Sequence, residues 1–260
     1  MTIPLQTAKP RRGIVVAAVL FVLLVIATGT ANLLSQFVQG TFHQTDTLVP
    51  RGDRFTVQGA AGNVTLNPSP DGNVHVRTTV HYGISKPEFV QRSTPTGVLL
   101  HTRCDGLLAT RCDVDYLIEV PPSFAVDVEL EAGEVSVNGL AGPVTVDVSA
   151  GDVTLLDVSG ALDVSSSSGE IRGLGLRSAV VRADTSSGDV RMELIDPPQS
   201  VRVDVGSGEV DLAVPVDVDY RVDADTASGE ERIAVPVRTG SDRTITVDGG
   251  SGDVRIRPVR

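Results

Sequence analysis

The feature that most limits what this chain can become is a tetrad that keeps returning: a small residue, a glycine, an acid, and usually a β-branched aliphatic residue. It reads "AGEV" at 132–135, "AGDV" at 150–153, "SGEI" at 168–171, "SGDV" at 187–190, "SGEV" at 207–210, "SGEE" at 228–231 and "SGDV" at 251–254. The glycines Gly133, Gly151, Gly169, Gly188, Gly208, Gly229 and Gly252 are therefore 18, 18, 19, 20, 21 and 23 residues apart. A looser copy, "AGNV", stands at 61–64. Self-similarity at a period near twenty marks an array of stacked units, none of which buries enough apolar surface to fold alone.

Between the tetrads the apolar residues alternate. Val144, Val146 and Val148 fall on one side, with Thr145 and Asp147 on the other. Val201, Val203 and Val205 repeat the pattern, as do Val210, Leu212 and Val214, and then Val218, Tyr220 and Val222. A period of two is the signature of a strand with one buried face. Each unit thus supplies two short strands, one ending at the tetrad and one beginning there. Glycine takes positive φ at a sharp corner without steric cost, and a neighbouring Ser or Ala keeps that corner narrow. The fold class predicted is all-β: a repetitive β-solenoid or β-helix-like ectodomain with repeats of about 20 residues.

If units stack in sequence order, the acids Glu134, Asp152, Glu170, Asp189, Glu209, Glu230 and Asp253 form a row along the solenoid. Two residues further on, facing the same way, stand Ser136, Thr154, Arg172, Arg191, Asp211, Arg232 and Arg255, so four acids have an arginine on their own strand. This reads as a solvated charge lattice. Calcium binding by the row is the sharper alternative, but it needs six to eight oxygens around one point, and the arginines compete. No cofactor or metal is expected. "SGEE" puts Glu231 where an aliphatic residue belongs, which predicts an irregular coil or an exposed edge.

The N-terminus differs. Residues 14–34, "IVVAAVLFVLLVIATGTANLL", carry no charge and are long enough to cross a bilayer as a helix. Lys9, Arg11 and Arg12 precede them and no basic residue follows until Arg51, so residues 1–13 are expected in the cytoplasm and the body outside, a single-pass membrane protein. The alternative is a secretory signal cleaved near "GTA" at 29–31, which also exports the body. Residues 35–54 read as a polar stalk, in which Arg51–Asp53 spell "RGD", a weak receptor-binding signal. Residues 55–120 are expected to cap the N-terminal end of one continuous β domain, with residues 121–260 as the regular solenoid. Cys104 and Cys112 flank "DGLLAT", a predicted turn between two hairpin strands, and are expected to form a disulfide in an oxidising compartment.

Net charge is −11, of which residues 1–34 hold +3 and the remaining 226 residues −14. So acidic a body repels phosphate backbones, and nucleic acid is excluded as a partner. There is no Trp, and aromatic residues make 3% of the chain, so the core must be built of Val, Leu, Ile and Ala. His43, His75, His81 and His101 all precede the regular repeats and form no recognisable catalytic or ligand pair, so no enzyme is expected. A β-helix enzyme acting on glycans is the weakest alternative.

With these units in place, the chain resembles the bacterial putative-adhesin family of unknown function, whose members carry recurrent "SGDV/SGEV" units. The stretch "CDVDYLIEVPPSFAVDVELEAGEVSVNGLAGPVTVDVSAGDV" at 112–153 is similar to that family's entry into them, and the resemblance spans residues 53–257. It implies an extracytoplasmic β-solenoid, tethered or secreted, and brings no catalytic residues. Two functions follow as expectations: an adhesin-like module that binds or presents a surface to a cell-wall polymer or another envelope component, or a regulatory ectodomain that acts in envelope-stress sensing through a membrane-protein partner.

Overall fold

Alternation on either side of each glycine gives the chain two strands per unit, and the strands before and after the corners sort into different sheets. The computed structural model describes residues 16, 19–23, 25, 40–82, 88–103 and 112–259. The N-terminal strands are β1 (Gly40–Leu48), β2 (Arg54–Ala61), β3 (Val64–Pro68), β4 (Val74–Tyr82), β5 (Glu88–Thr94), β6 (Gly97–Arg103) and β7 (Cys112–Val120). The repeats follow as β8 (Ala125–Ala132), β9 (Val135–Asn138), β10 (Val144–Ala150), β11 (Val153–Leu156), β12 (Leu162–Ser168), β13 (Ile171–Leu176), β14 (Val180–Ser187) and β15 (Val190–Leu194). They continue with β16 (Ser200–Ser207), β17 (Val210–Val214), β18 (Arg221–Ser228), β19 (Glu231–Ile233), β20 (Thr244–Ser251) and β21 (Val254–Pro258).

Among the described residues, two long sheets face each other. The ten-stranded sheet runs β18-β20-β16-β14-β12-β10-β8-β2-β6-β5, and the eleven-stranded sheet β1-β4-β7-β3-β9-β11-β13-β15-β17-β21-β19. The repeat coils from β8 onward each cross from the first sheet to the second at a corner, and neighbouring coils pair in parallel and in register, save for a shift between Gly173 and Leu176 where β13 meets β15. The fully buried side chains between the sheets are almost all aliphatic, with Val146, Val164, Val203 and Val247 from one sheet and Val153, Ile171, Val190 and Ile256 from the other. Burying each contributes roughly 1.5–3 kcal/mol against leaving it in water. This supplies an all-β, parallel, solenoid-like architecture with no large aromatic core.

Glycine at the corner is required twice over. Gly169 has φ +148°, and a Cβ there would stand 2.0 Å from the carbonyl oxygen of Gly151 in the next coil. Along the whole column, from Gly62 through Gly133, Gly151, Gly169, Gly188, Gly208 and Gly252 to Gly229, φ is positive, and the equivalent Cβ would lie 1.8–2.1 Å from the preceding carbonyl. Backbone approaches backbone too closely for any side chain.

Coil order departs from sequence order at both ends. The coil of β20 and β21 inserts between that of β16 and β17 and that of β18 and β19, so the "SGEE" corner ends the stack. The acidic row is therefore assembled, but with Asp253 between Glu209 and Glu230. At the other end β6 and β7 lie outside β2 and β3. The reason is apolar content: β20 and β21 bury Ile245, Val247, Val254 and Ile256, whereas β18 and β19 offer Val222, Ala224, Glu231 and Ile233 and suit a half-exposed edge.

Two N-terminal expectations, the stalk and the hairpin, are corrected. The polar stalk is, over 40–48, the edge strand β1, which pairs antiparallel with β4 along its full length; its Thr and Phe content suits an extended strand. The segments flanking the cysteines do not form a hairpin. β6 belongs to the ten-stranded sheet and β7 to the eleven-stranded one, so the two strands are not paired, and the segment joining them lies outside the described residues. Cys112 opens β7 and is not a free thiol, while Cys104 lies outside the described residues. Of the predicted span 14–34, only Val16, residues 19–23 and Val25 are described, all helical and exposed. Among the described residues no helix is long and apolar enough to cross a membrane.

Candidate functional site

Two columns of carboxylates run the length of the stack, one on each sheet. The first is the corner row, whose spatial order is Glu134, Asp152, Glu170, Asp189, Glu209, Asp253, Glu230. Short and long acids alternate strictly in that order. Asp152 Oδ1 accepts the backbone N–H of Glu170 at 2.8 Å, Asp189 that of Glu209 at 2.9 Å, and Asp253 that of Glu230 at 3.0 Å. Asn63 does the same for Glu134 at 2.9 Å. An aspartate, with one methylene, reaches the amide of the adjacent rung, which lies about 4.8 Å away. Two of the four longer glutamates take arginines. Glu170 accepts from Arg172 at 2.8 Å and from Arg191 at 2.5 Å, Arg191 also bonds Asp189 at 2.7 Å, and Glu230 pairs with Arg232. Partial burial pushes the Glu170 carboxyl up, but hydrogen bonds from Arg172 and Arg191 outweigh it and hold it below its usual range. Asp211 is held by Arg257 at 2.7 Å. Arg255 makes no such pair among the described residues, and Ser136 and Thr154 lie half-buried in the arginine row. Most of the corner row is consumed by its own structure; Glu134 and Glu209 alone keep side chains without such a partner among the described residues.

The second column escaped the sequence reading. On the outer face of the ten-stranded sheet, successive registers bring together Gln58, Glu129, Asp147, Ser165, Asp184, Asp204, Asp248 and Asp225. Glu129 accepts from Gln58 at 3.0 Å, and Asp204 pairs with Arg202 at 2.8 Å. Asp147, Asp184, Asp248 and Asp225 form no ion pair among the described residues. The signal was available: each member stands four residues before its corner glycine, and six of the seven tetrads that begin at 132 have an acid there.

This column runs into a groove of about 520 Å³, lined by Gln58, Gly59, His101, Arg103, Glu129 and Asp147 among others. Gly59 opens it, since a Cβ there would already be 3.1 Å from Leu130. The His101 Nδ1 atom is buried without a hydrogen-bond partner among the described residues. The arrangement can bind through charge and polar contacts, and nothing in it pairs a nucleophile with a base. No group of three or more His, Cys, Asp or Glu among the described residues is placed to hold a metal.

The remaining histidines lie on the antiparallel patch. His75 bonds Asp71 at 2.9 Å, and His81 approaches Asp115 at 3.8 Å. The backbone N–H of Asn73, then the His75 ring, hold the Asp71 carboxyl well below the usual carboxylate range. His43 faces Thr79 across the strands at 3.2 Å. Arg51 and Asp53 sit exposed in the turn between β1 and β2.

The model of one family, Toastrack DUF4097, matches residues 28–257. Among solved structures, a "putative adhesin" from Bacteroides fragilis is 12% identical, over 84% of this chain and 97% of that one, with a TM-score of 0.48. A "putative cell adhesion protein" from Clostridium sporogenes is 10% identical over 85% and 100%, with a TM-score of 0.37. A "putative lipid binding protein" from Parabacteroides distasonis is 12% identical over 82% and 97%, with a TM-score of 0.36. No curated protein matches the chain. At such identities and TM-scores none of these likenesses transfers a function.

Proposed function

Because the chain belongs to the Toastrack DUF4097 family, we propose that it is a non-catalytic, adhesin-like module that presents the outer face of its ten-stranded sheet to a component of the cell envelope. The reading includes an N-terminal helix that holds the module at the membrane, with the β domain outside. One observation carries it: five of the seven corner carboxylates are spent on backbone amides or arginines, while Asp147, Asp184, Asp248 and Asp225 of the second column spend none among the described residues. Like charges on adjacent strands cost stability. A fold that keeps them exposed and unpaired on one flat face gains something other than stability from them.

Rungs about 4.8 Å apart form a linear array suited to a linear partner. The chemistry fits amines, as on amino sugars or the lysine side chains of wall peptides. Each contact to an exposed carboxylate is weak, so affinity arises from many contacts along one polymer and falls with ionic strength. The test is retention of the full chain on purified cell-wall material across a salt series, beside a variant carrying Asp147→Asn, Asp184→Asn, Asp248→Asn and Asp225→Asn. Salt-sensitive retention that the variant loses supports the reading. Equal retention by both proteins, or a stoichiometric membrane-protein partner with no wall retention, overturns it.

A further inference from the structure

The two sheets end together at β18 and β19, and among the described residues these strands leave one edge each without a strand partner. Such an edge is a template for another chain. The coil that occupies this place is not the last in sequence, and its inward positions differ from those of every coil beneath it. The residues aligned with position 231 are Val135, Val153, Ile171, Val190, Val210 and Val254, all 2% exposed or less. Glu231 itself is exposed, and Ile233 is 42% exposed. On the facing strand, Val222, Ala224 and Thr226 are half-buried where Ile245 and Val247 of the next coil are fully buried.

Glu231 also does something no aliphatic residue can do. Its Oε1 accepts the backbone N–H of Thr226 at 3.1 Å, so the side chain reaches around the corner and occupies a main-chain donor of β18. Glu230 and Arg232, paired with each other, flank it. A further coil laid on this end would have to bury the Glu231 carboxylate against an aliphatic row and strip it of water. Inward-pointing charge on an edge strand is a recognised way to prevent sheet-to-sheet joining.

We propose that Glu231 is the stop residue of the solenoid: it closes the β18–β19 end to a second copy of this chain, and an aliphatic residue there would open that end to joining. The insertion of β20 and β21 one place inward follows the same logic, because it leaves the coil that carries Glu231 at an end of the stack, where that charge stays wet.

The experiment compares the full chain in mild detergent as wild type, Glu231→Val and Glu231→Gln, with protein mass measured by light scattering. Each is also made with Ser228→Cys, which places a thiol on the exposed edge. Glu231→Val, which restores the repeat consensus, is expected to at least double the protein mass and to give an interchain disulfide through position 228. Glu231→Gln keeps the acceptor for the Thr226 amide and loses the charge, so it is expected to join to a lesser extent. Wild type is expected to form no interchain bond. Should Glu231→Val fold poorly, Glu231→Gln alone decides, since its shape and hydrogen bond are preserved. A single-chain mass for both folded variants, or a wild type already joined through position 228, would overturn the proposal.

Discussion

The outer faces of the two sheets make a controlled comparison within one molecule. Both carry a carboxylate on nearly every rung of the same stack of coils. On the eleven-stranded sheet, each aspartate caps the amide of the next rung and the glutamates Glu170 and Glu230 hold arginines. On the ten-stranded sheet, Asp147, Asp184, Asp248 and Asp225 hold nothing among the described residues. Charge alone therefore does not mark a functional face. What separates the two is whether the groups are satisfied internally, and that depends on side-chain length and on the arginines two residues away.

The two faces were also unequally legible. The corner tetrad announced itself because glycine, acid and valine stand together, and positive φ gives the glycine a reason that no other residue satisfies. Asp184 and its column were harder to see, since an acid four residues before a glycine reads as the polar half of any strand. Coil order was misread for a different reason. Stacking by sequence places Glu209 beside Glu230, two long acids in succession, whereas the observed order restores the short–long alternation. That irregularity was present in the sequence, but its meaning depends on a hydrogen bond between rungs. The strand at 40–48 was masked by polar residues, because an edge strand with both faces largely wet shows no hydrophobic period.

The contrast between structural and presented residues can be broken most severely at the corner itself. Gly169→Ala forces a Cβ to within 2.0 Å of the Gly151 carbonyl at φ +148°. Denaturant unfolding is expected to show a loss of about 3 kcal/mol or more, against a change within about 0.5 kcal/mol for Asp184→Ala on the other face. Comparable losses would erase the distinction. The two ends of the 104–112 segment offer the next test. We expect Cys104 and Cys112 to be bridged there, so that Cys112→Ser costs about 2–3 kcal/mol and thiol labelling of the unfolded wild type finds no reactive cysteine until reductant is added.

Smaller effects sharpen the comparison. Asp189→Ala leaves the Glu209 amide without its acceptor and is expected to cost about 1 kcal/mol, while Asp204→Ala is expected to cost less, its loss limited to an exposed ion pair. The smallest is a pH effect. Because Arg172 and Arg191 hold the Glu170 carboxyl below its ordinary value of 4.5, its stabilisation is complete above that pH and is lost as pH falls beneath it. Glu170→Gln is thus expected to lower stability by a few tenths of a kcal/mol at pH 7 and to match wild type in strong acid. A difference that grows on acidification would reverse the sign.

The order of the coils is what every statement about these faces presupposes. Ser207 pairs in register with Ser251, and Ser251 with Ser228, so Ser207 and Ser228 are separated by a full rung. Cysteines introduced in pairs at these exposed positions report that order directly, since a disulfide forms only where Cα atoms lie within about 7 Å. With bonds mapped by mass spectrometry, the pair at 207 and 251 is expected to bridge rapidly and the pair at 207 and 228 to stay reduced. Bridging of 207 to 228, with 207 and 251 left as thiols, would show that the coils stack as they are written.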